Sequence, residues 1–166
     1  HRFGTYVFDN SAPTITVSPT SATVCKTKSI TITAADVGTA GLATSGNSYQ
    51  YYLSTSSSAL SGGSWTNYTS GTAFNINPGT SGQYYLWVKQ IADNATNKSS
   101  TTNYVTIGGV VYHRYGLYKF DYNKPTITVS PGSATWKNSA LSVNITHADT
   151  GGSGLASTSG EYFLSK

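Results

Sequence analysis

The chain has 166 residues, of which 37% are hydrophobic, 13% aromatic and only 10% charged, against roughly 25% charged in an ordinary soluble domain. Ser, Thr and Asn supply the polar surface, while Lys and Glu are scarce and Met is absent, which excludes a largely helical protein and favours strands and turns. The net charge of +4 comes from ten scattered Lys and Arg set against six acids, with no basic run beyond Lys26-Thr27-Lys28, so a nucleic-acid partner is not expected.

In chain order, apolar–polar alternation marks a series of short strands. Ile15 and Val17 alternate with Thr between Pro13 and Pro19; Ile30 and Ile32 alternate with Thr31 and Thr33. Tyr49 to Ser54 follows a Gly-rich loop, and a Ser/Gly connection from Ser54 to Ser64 leads to Trp65. Ala73 to Ile76 is stopped by Asn77-Pro78-Gly79, and Gln83 to Ile91 is the most strongly patterned strand. After a polar turn at Asn94 to Ser100, the stretch Asn103 to Asp121 reads as one final strand broken at Gly108-Gly109. This series of short strands separated by turn signals implies an all-β sandwich.

The chain also repeats itself. His1-Arg2-Phe3-Gly4-Thr5-Tyr6-Val7-Phe8-Asp9 returns as His113-Arg114-Tyr115-Gly116-Leu117-Tyr118-Lys119-Phe120-Asp121, an offset of 112 residues (113 − 1). Pro13-Thr14-Ile15-Thr16-Val17-Ser18-Pro19 returns unchanged from Pro125 to Pro131. Further matches pair Ala35-Asp36 with Ala148-Asp149, Gly41-Leu42-Ala43 with Gly154-Leu155-Ala156, and Tyr51-Tyr52-Leu53-Ser54 with Tyr162-Phe163-Leu164-Ser165. A period of this length suits a sandwich domain of roughly 100 residues and is too long for a solenoid. The expected organisation is the last strand of a preceding unit over 1–9, a complete unit over 10–121, and the first half of a following unit, strands A to C, over 122–166. This makes the chain a segment of a longer array, with completion of the half-unit by a neighbouring molecule as the alternative.

Tyr84-Tyr85-Leu86-Trp87-Val88-Lys89, the turn Ala92-Asp93-Asn94-Ala95, and the linker Phe8-Asp9-Asn10-Ser11-Ala12-Pro13-Thr14-Ile15 resemble bacterial immunoglobulin-like surface-protein repeats. The resemblance spans nearly the whole chain and implies tandem immunoglobulin-like repeats, extracellular or on the cell surface, serving as spacer, stalk or filament and taking part in adhesion. Its implied partners are neighbouring repeats and a host or cell-surface glycan or protein, without membrane insertion. One departure is Thr96, which stands where those repeats usually carry Gly before Asn97, and the second linker reads Asp121-Tyr122-Asn123-Lys124-Pro125.

Candidate sites are few. The acids Asp9, Asp36, Asp93, Asp121, Asp149 and Glu161 form no evident acid/base pair, His1, His113 and His147 lack metal-ligand spacing, and Cys25 has neither a disulfide partner nor a neighbouring base. No enzymatic activity and no resident cofactor are expected. Asp9 and Asp121 fall at unit junctions and Asp93 in a turn facing one of them, so Ca2+ at the junctions is the one cofactor considered, against the simpler reading that these aspartates cap turns. Lys28 and Asn103 are considered as an intramolecular isopeptide pair. If the Leu86 face of its strand is the core, Tyr52, Tyr85 and Trp87 line the outer face of one sheet, a candidate platform for stacking on sugars or on a receptor; the alternative covers Trp87 with the core or with the connection from Gly108 to Tyr118. Such a module, or an accessory domain of a secreted enzyme, is the rival reading. Sequons at Asn67, Asn94, Asn97 and Asn144 are expected by chance in so Ser/Thr-rich a chain.

Overall fold

In the computed structural model, residues 1–60, 64–156 and 160–165 are described; the middle of the Ser/Gly connection at 61–63, residues 157–159 and Lys166 lie outside them. The alternating Ile/Thr and Val/Thr stretches pair first. β1 (Thr14–Ser18), β2 (Ala22–Cys25) and β3 (Lys28–Ala35) follow in order, and β1 runs antiparallel to β3 with Val17 opposite Ile32. β4 (Gln50–Ser54), the two-residue β5 (Thr66–Asn67), β6 (Ala73–Ile76), β7 (Gly82–Lys89), β8 (Tyr104–Ile107) and β9 (Val110–Phe120) follow and build the two sheets with β1 to β3. One sheet has the order β1-β3-β6; the other has β2-β9-β7-β4-β5, with β8 added on β9. The chain therefore changes sheets between β1 and β2, at Pro19, which cannot donate to a ladder. Tyr118 fastens that crossing by donating its hydroxyl to the Pro19 carbonyl at 2.6 Å, and Tyr115 does the same to Ile15 at 2.9 Å.

The inward faces of the two sheets make one core. Val17, Ile30, Ile32 and Ile76 come from the first sheet, and Tyr84, Leu86, Val88, Tyr118 and Phe120 from the second. Burial pushes the Tyr115 hydroxyl up to about 12 and raises that of Tyr118 further, so both stay protonated donors at any physiological pH. The all-β, two-sheet arrangement agrees with the sandwich expected from the strand pattern, and the described residues contain no helix.

Three elements depart from the sequence reading. The stretch Asn103 to Asp121 is a hairpin of two strands, because Gly108 and Gly109 both adopt positive φ (57° and 78°) and close a two-residue turn between Ile107 and Val110. The short β2, pairing in parallel with the end of β9, carries too little alternation to be seen in the sequence. The strand expected near Tyr162 does not form among residues 160–165. What the second unit does form is β10 (Thr126–Ser130) antiparallel to β11 (Asn144–Ala148), with Val129 opposite Ile145 as Val17 is opposite Ile32.

A bulge in β9 sets the core register. Tyr84 pairs with Tyr118 and Leu86 with Tyr115, so Gly116 and Leu117 together face Tyr85. Without the extra residue, Tyr115 and Tyr118 would lie on opposite faces. Gly116 has φ +119°, and a Cβ there would meet the Tyr118 ring at 3.1 Å and the Tyr84 carbonyl oxygen at 3.2 Å. Gly116→Ala is expected to destabilise the unit by about 1–3 kcal/mol, read as a lower midpoint in urea at unchanged slope.

Candidate functional site

Two places gather polar or aromatic side chains: a knot of aspartates at the end of the unit, and the outer face of the larger sheet.

The knot is built by three separate segments. Asp9 precedes β1, Asp36 follows β3, and Asp93 follows β7; one oxygen from each lies within 4.8 Å of the others, and Asp93 is buried. The local chain explains the crowding. Asp9 Oδ2 accepts the backbone N–H groups of Thr39 (2.7 Å) and Ala40 (2.8 Å), and its Oδ1 accepts that of Ser11 at 2.8 Å. Gly38 makes room for this approach, since a Cβ at that position would fall 2.0 Å from Asp9 Oδ2. Asp36 Oδ2 accepts the Gly41 N–H at 2.7 Å. Asp93 closes its own turn, accepting the backbone and side-chain N–H groups of Asn97 at 2.8 Å each, while that same amide donates to the Asp9 carbonyl at 3.0 Å.

The turn from Asp93 to Asn97 holds Thr96 at φ 71°, the left-handed conformation in which Gly is at ease and a β-branched residue is strained. The resemblance expected Gly at this position, and the backbone keeps the conformation that Gly would favour. Thr96→Gly is therefore expected to stabilise the unit by about 1 kcal/mol in a denaturant titration.

Asp9 and Asp93 thus meet, as the junction reading anticipated, and Asp36 joins them unforeseen; its signal was the Asp36…Gly41 pair recurring as Asp149…Gly154. Of the six carboxylate oxygens, five accept N–H groups and only Asp36 Oδ1 is buried without a partner. A hard cation such as Ca2+ takes six to eight oxygens; these three carboxylates are the ligands the chain would offer, and amide donors already account for most of their oxygens. At the other end of the unit Asp121, which is buried, accepts the N–H groups of Asn123 (2.9 Å) and Ser153 (3.0 Å) and contacts the hydroxyls of Ser153 and Ser81. Asp149 Oδ2 accepts the Gly154 N–H at 2.7 Å, as Asp36 does from Gly41. The same linkage therefore appears at both ends of the unit.

These hydrogen bonds hold the Asp9 carboxyl below its ordinary value of 3.8, chiefly through the Ser11 N–H, and that of Asp121 below it chiefly through the Ser153 hydroxyl. His113 behaves oppositely in charge: burial lowers its value from 6.5, only partly offset by a hydrogen bond to the Ser99 backbone, while the Ser99 hydroxyl lies 3.2 Å from Nε2. Both kinds of group stabilise the fold at high pH and lose that contribution as pH falls: His113 from about 6.5 downward, because the unfolded imidazole binds the proton more readily, and the aspartates below about 4. The thermal midpoint should therefore drop in two stages on acidification; His113→Gln should remove the upper stage and Asp9→Asn with Asp121→Asn should flatten the lower one.

The outer face is covered at Trp87, the alternative to the open platform. Tyr52 and Tyr85 are half-buried and Trp87 is 0% exposed. Trp87 pairs across the sheet with Tyr52 and Arg114, and the Arg114 guanidinium lies 5.9 Å from its ring and 5.3 Å from that of Tyr85. Arg114 also donates to the Ser57 carbonyl, drawing the β4–β5 connection across the sheet. Trp65 stacks on Tyr112 at 4.9 Å and lies 5.6 Å from Tyr52. The cover over Trp87 is thus Arg114, which belongs to the stretch from Gly108 to Tyr118 as the alternative had it, and Arg114 in turn holds the β4–β5 connection through Ser57. Lys28 sits opposite Ile76, whereas Asn103 contacts Arg114, so the register does not bring the isopeptide pair together.

No protein-family model, curated protein or solved structure matches the chain.

Proposed function

We propose that the chain is part of an extracellular, bacterial surface or filament protein made of tandem immunoglobulin-like sandwich repeats, in which each unit is a spacer held stiffly to the next. Taking part in adhesion follows from that position; no chemistry is assigned to the unit itself.

The observation that carries the reading is the recurrence of one junction. Asp9, at the end of one copy of the repeated segment, accepts the Thr39 and Ala40 N–H groups. Asp121, 112 positions later (121 − 9), accepts the Ser153 N–H from the corresponding loop. Each junction aspartate thus closes one copy of the repeated His-Arg segment and bonds a loop of the copy that follows. Such bonds restrict hinge motion where a flexible linker would swing freely. Pro13 and Pro125 follow each junction aspartate by four residues and narrow the backbone freedom further. The topology also suits tension, because β1 leads into β2 and β2 pairs in parallel with β9: force applied along the array loads those hydrogen bonds in shear.

Pulling the full chain by its two ends in an optical trap tests the idea. Residues 10–121 should release in one cooperative step whose extended length is on the order of 400 Å, at roughly 3.6 Å per residue. Asp9→Asn should lower the force at which the junction yields before that step. Gradual lengthening without a discrete event would count against a load-bearing repeat.

A further inference from the structure

His113 is the one buried histidine among the described residues, and it supports a hairpin that the junction depends on. It is 1% exposed and sits on β9, opposite Val88 of β7 and Tyr104 of β8. Its Nε2 lies 3.2 Å from the hydroxyl of Ser99, which is 0% exposed. That hydroxyl oxygen accepts the Ile91 N–H at 3.1 Å, so its own hydrogen is free to go to a bare Nε2. Ser99 also donates its N–H to the Ile91 carbonyl at 2.9 Å, and its carbonyl accepts the Gln90 side-chain amide at 2.7 Å. Ile91 and Ser99 thus close the base of a hairpin that continues through the Ala92–Lys98 bridge to the turn from Asp93 to Asn97.

The far end of that hairpin holds Asp9 in two ways. Directly, the Asn97 side-chain amide donates to the Asp9 carbonyl at 3.0 Å. Indirectly, Asn94 donates its N–H to the Gly41 carbonyl at 2.9 Å and its side-chain amide to the Ala40 carbonyl at 2.8 Å, while Asp93 bridges Leu42. The loop fixed in this way is the one whose Thr39 and Ala40 N–H groups bind the Asp9 carboxylate. The surroundings of His113 are poorly suited to a positive charge. The charged side chains adjacent in sequence to the residues around it, Lys89, Lys98 and Arg114, are all cationic, and Asp93 gives both its oxygens to Asn97. Burial holds the imidazole below its ordinary value, opposed only by Ser99. An imidazolium would also place an N–H where the Ser99 hydroxyl now donates, and that hydroxyl hydrogen would lose its acceptor.

We propose that His113 is an acid-sensitive prop: when its imidazole takes a proton, the hairpin from Ile91 to Ser99 opens at its base and releases Asp9, so the junction bends more freely in acid than at neutral pH. Once exposed, the imidazole titrates at about 6.5, so below that pH the open form binds a proton that the closed form refuses. Each unit of pH below about 6.5 then favours opening by up to about tenfold, until the closed imidazole itself titrates. The bending rests on the repeat reading above; the opening of the hairpin does not.

Amide hydrogen exchange followed by NMR on the full chain, from about pH 7 to about pH 5 and corrected for the intrinsic rate at each pH, tests this. Protection of the Asp93, Asn97 and Ser99 amides, and with them Thr39 and Ala40, should fall together by roughly tenfold, in step with the titration of the His113 ring signals. Asp9 stays ionised over that range, since its carboxyl is held below 3.8, so its own protonation does not release Thr39 and Ala40. Ile32 and Leu86 in the core should keep their protection. His113→Gln, with no titrating group at that place, should show hairpin protection independent of pH. Hairpin protection that ignores the His113 titration in the parent chain would overturn the proposal, without recourse to any variant. So would a loss that Ile32 and Leu86 share, which means unfolding of the whole unit, or a hairpin that opens while Thr39 and Ala40 stay protected. A discrete 10–121 step in the trap at neutral pH alongside any of these leaves the repeat reading standing and removes only this one.

Discussion

The structure turns on β7 being covered on both sides. Leu86 and Val88 fill the space between the sheets, and Trp87, pointing the other way, is equally buried. A strand with both faces covered must be central, and β7 has β9 on one side and β4 on the other. Its outer cover cannot come from a further sheet, so it comes from Arg114, which spans Tyr85 and Trp87 and holds the β4–β5 connection through Ser57. Guanidinium over indole keeps its attraction where water is excluded, so one side chain both shields the ring and fixes the connection. An outer surface rich in Tyr and Trp is thereby used internally.

The ends of the unit follow a different rule. There the chain relies on carboxylates that gather backbone N–H groups from loops distant in sequence. A carboxylate accepts several such bonds at once, and a charged acceptor makes each stronger than a neutral one would. Asp9 and Asp121 do this at the two junctions, and Gly38 and Gly151 stand where any Cβ would collide with them. The glycines are needed for close approach, which explains why both copies keep Gly at that place.

The second unit shows how little of the sandwich is local. β10 and β11 reproduce the register of β1 and β3, so that hairpin-like pair forms from its own side chains and backbone. Residues 162–165 resemble β4 in sequence but form no strand, whereas β4 is paired with β7. Strand identity here belongs to the pair more than to the segment.

Alternation of Thr with Ile or Val, the turn glycines and the 112-residue recurrence were enough to establish the all-β class, the strands β1, β3, β4, β6 and β7, and an Asp93 turn facing one of the junction aspartates; that this one is Asp9 came from the fold. These depend on nearest neighbours, on turn chemistry and on repetition, all of which are written in the order of residues. The crossing into β2, the β9 bulge at Gly116, the arrival of Asp36 in the knot and the cover over Trp87 were settled by tertiary structure. The outer face shows why most plainly. Alternation places Tyr85 and Trp87 on the same side of β7, and the sequence determined that much. Which side faces water depends on Arg114, 27 residues away from Trp87 (114 − 87), and only the closed sheet brings it over the ring, with Trp65 packing on Tyr52 and Tyr112 of the same sheet.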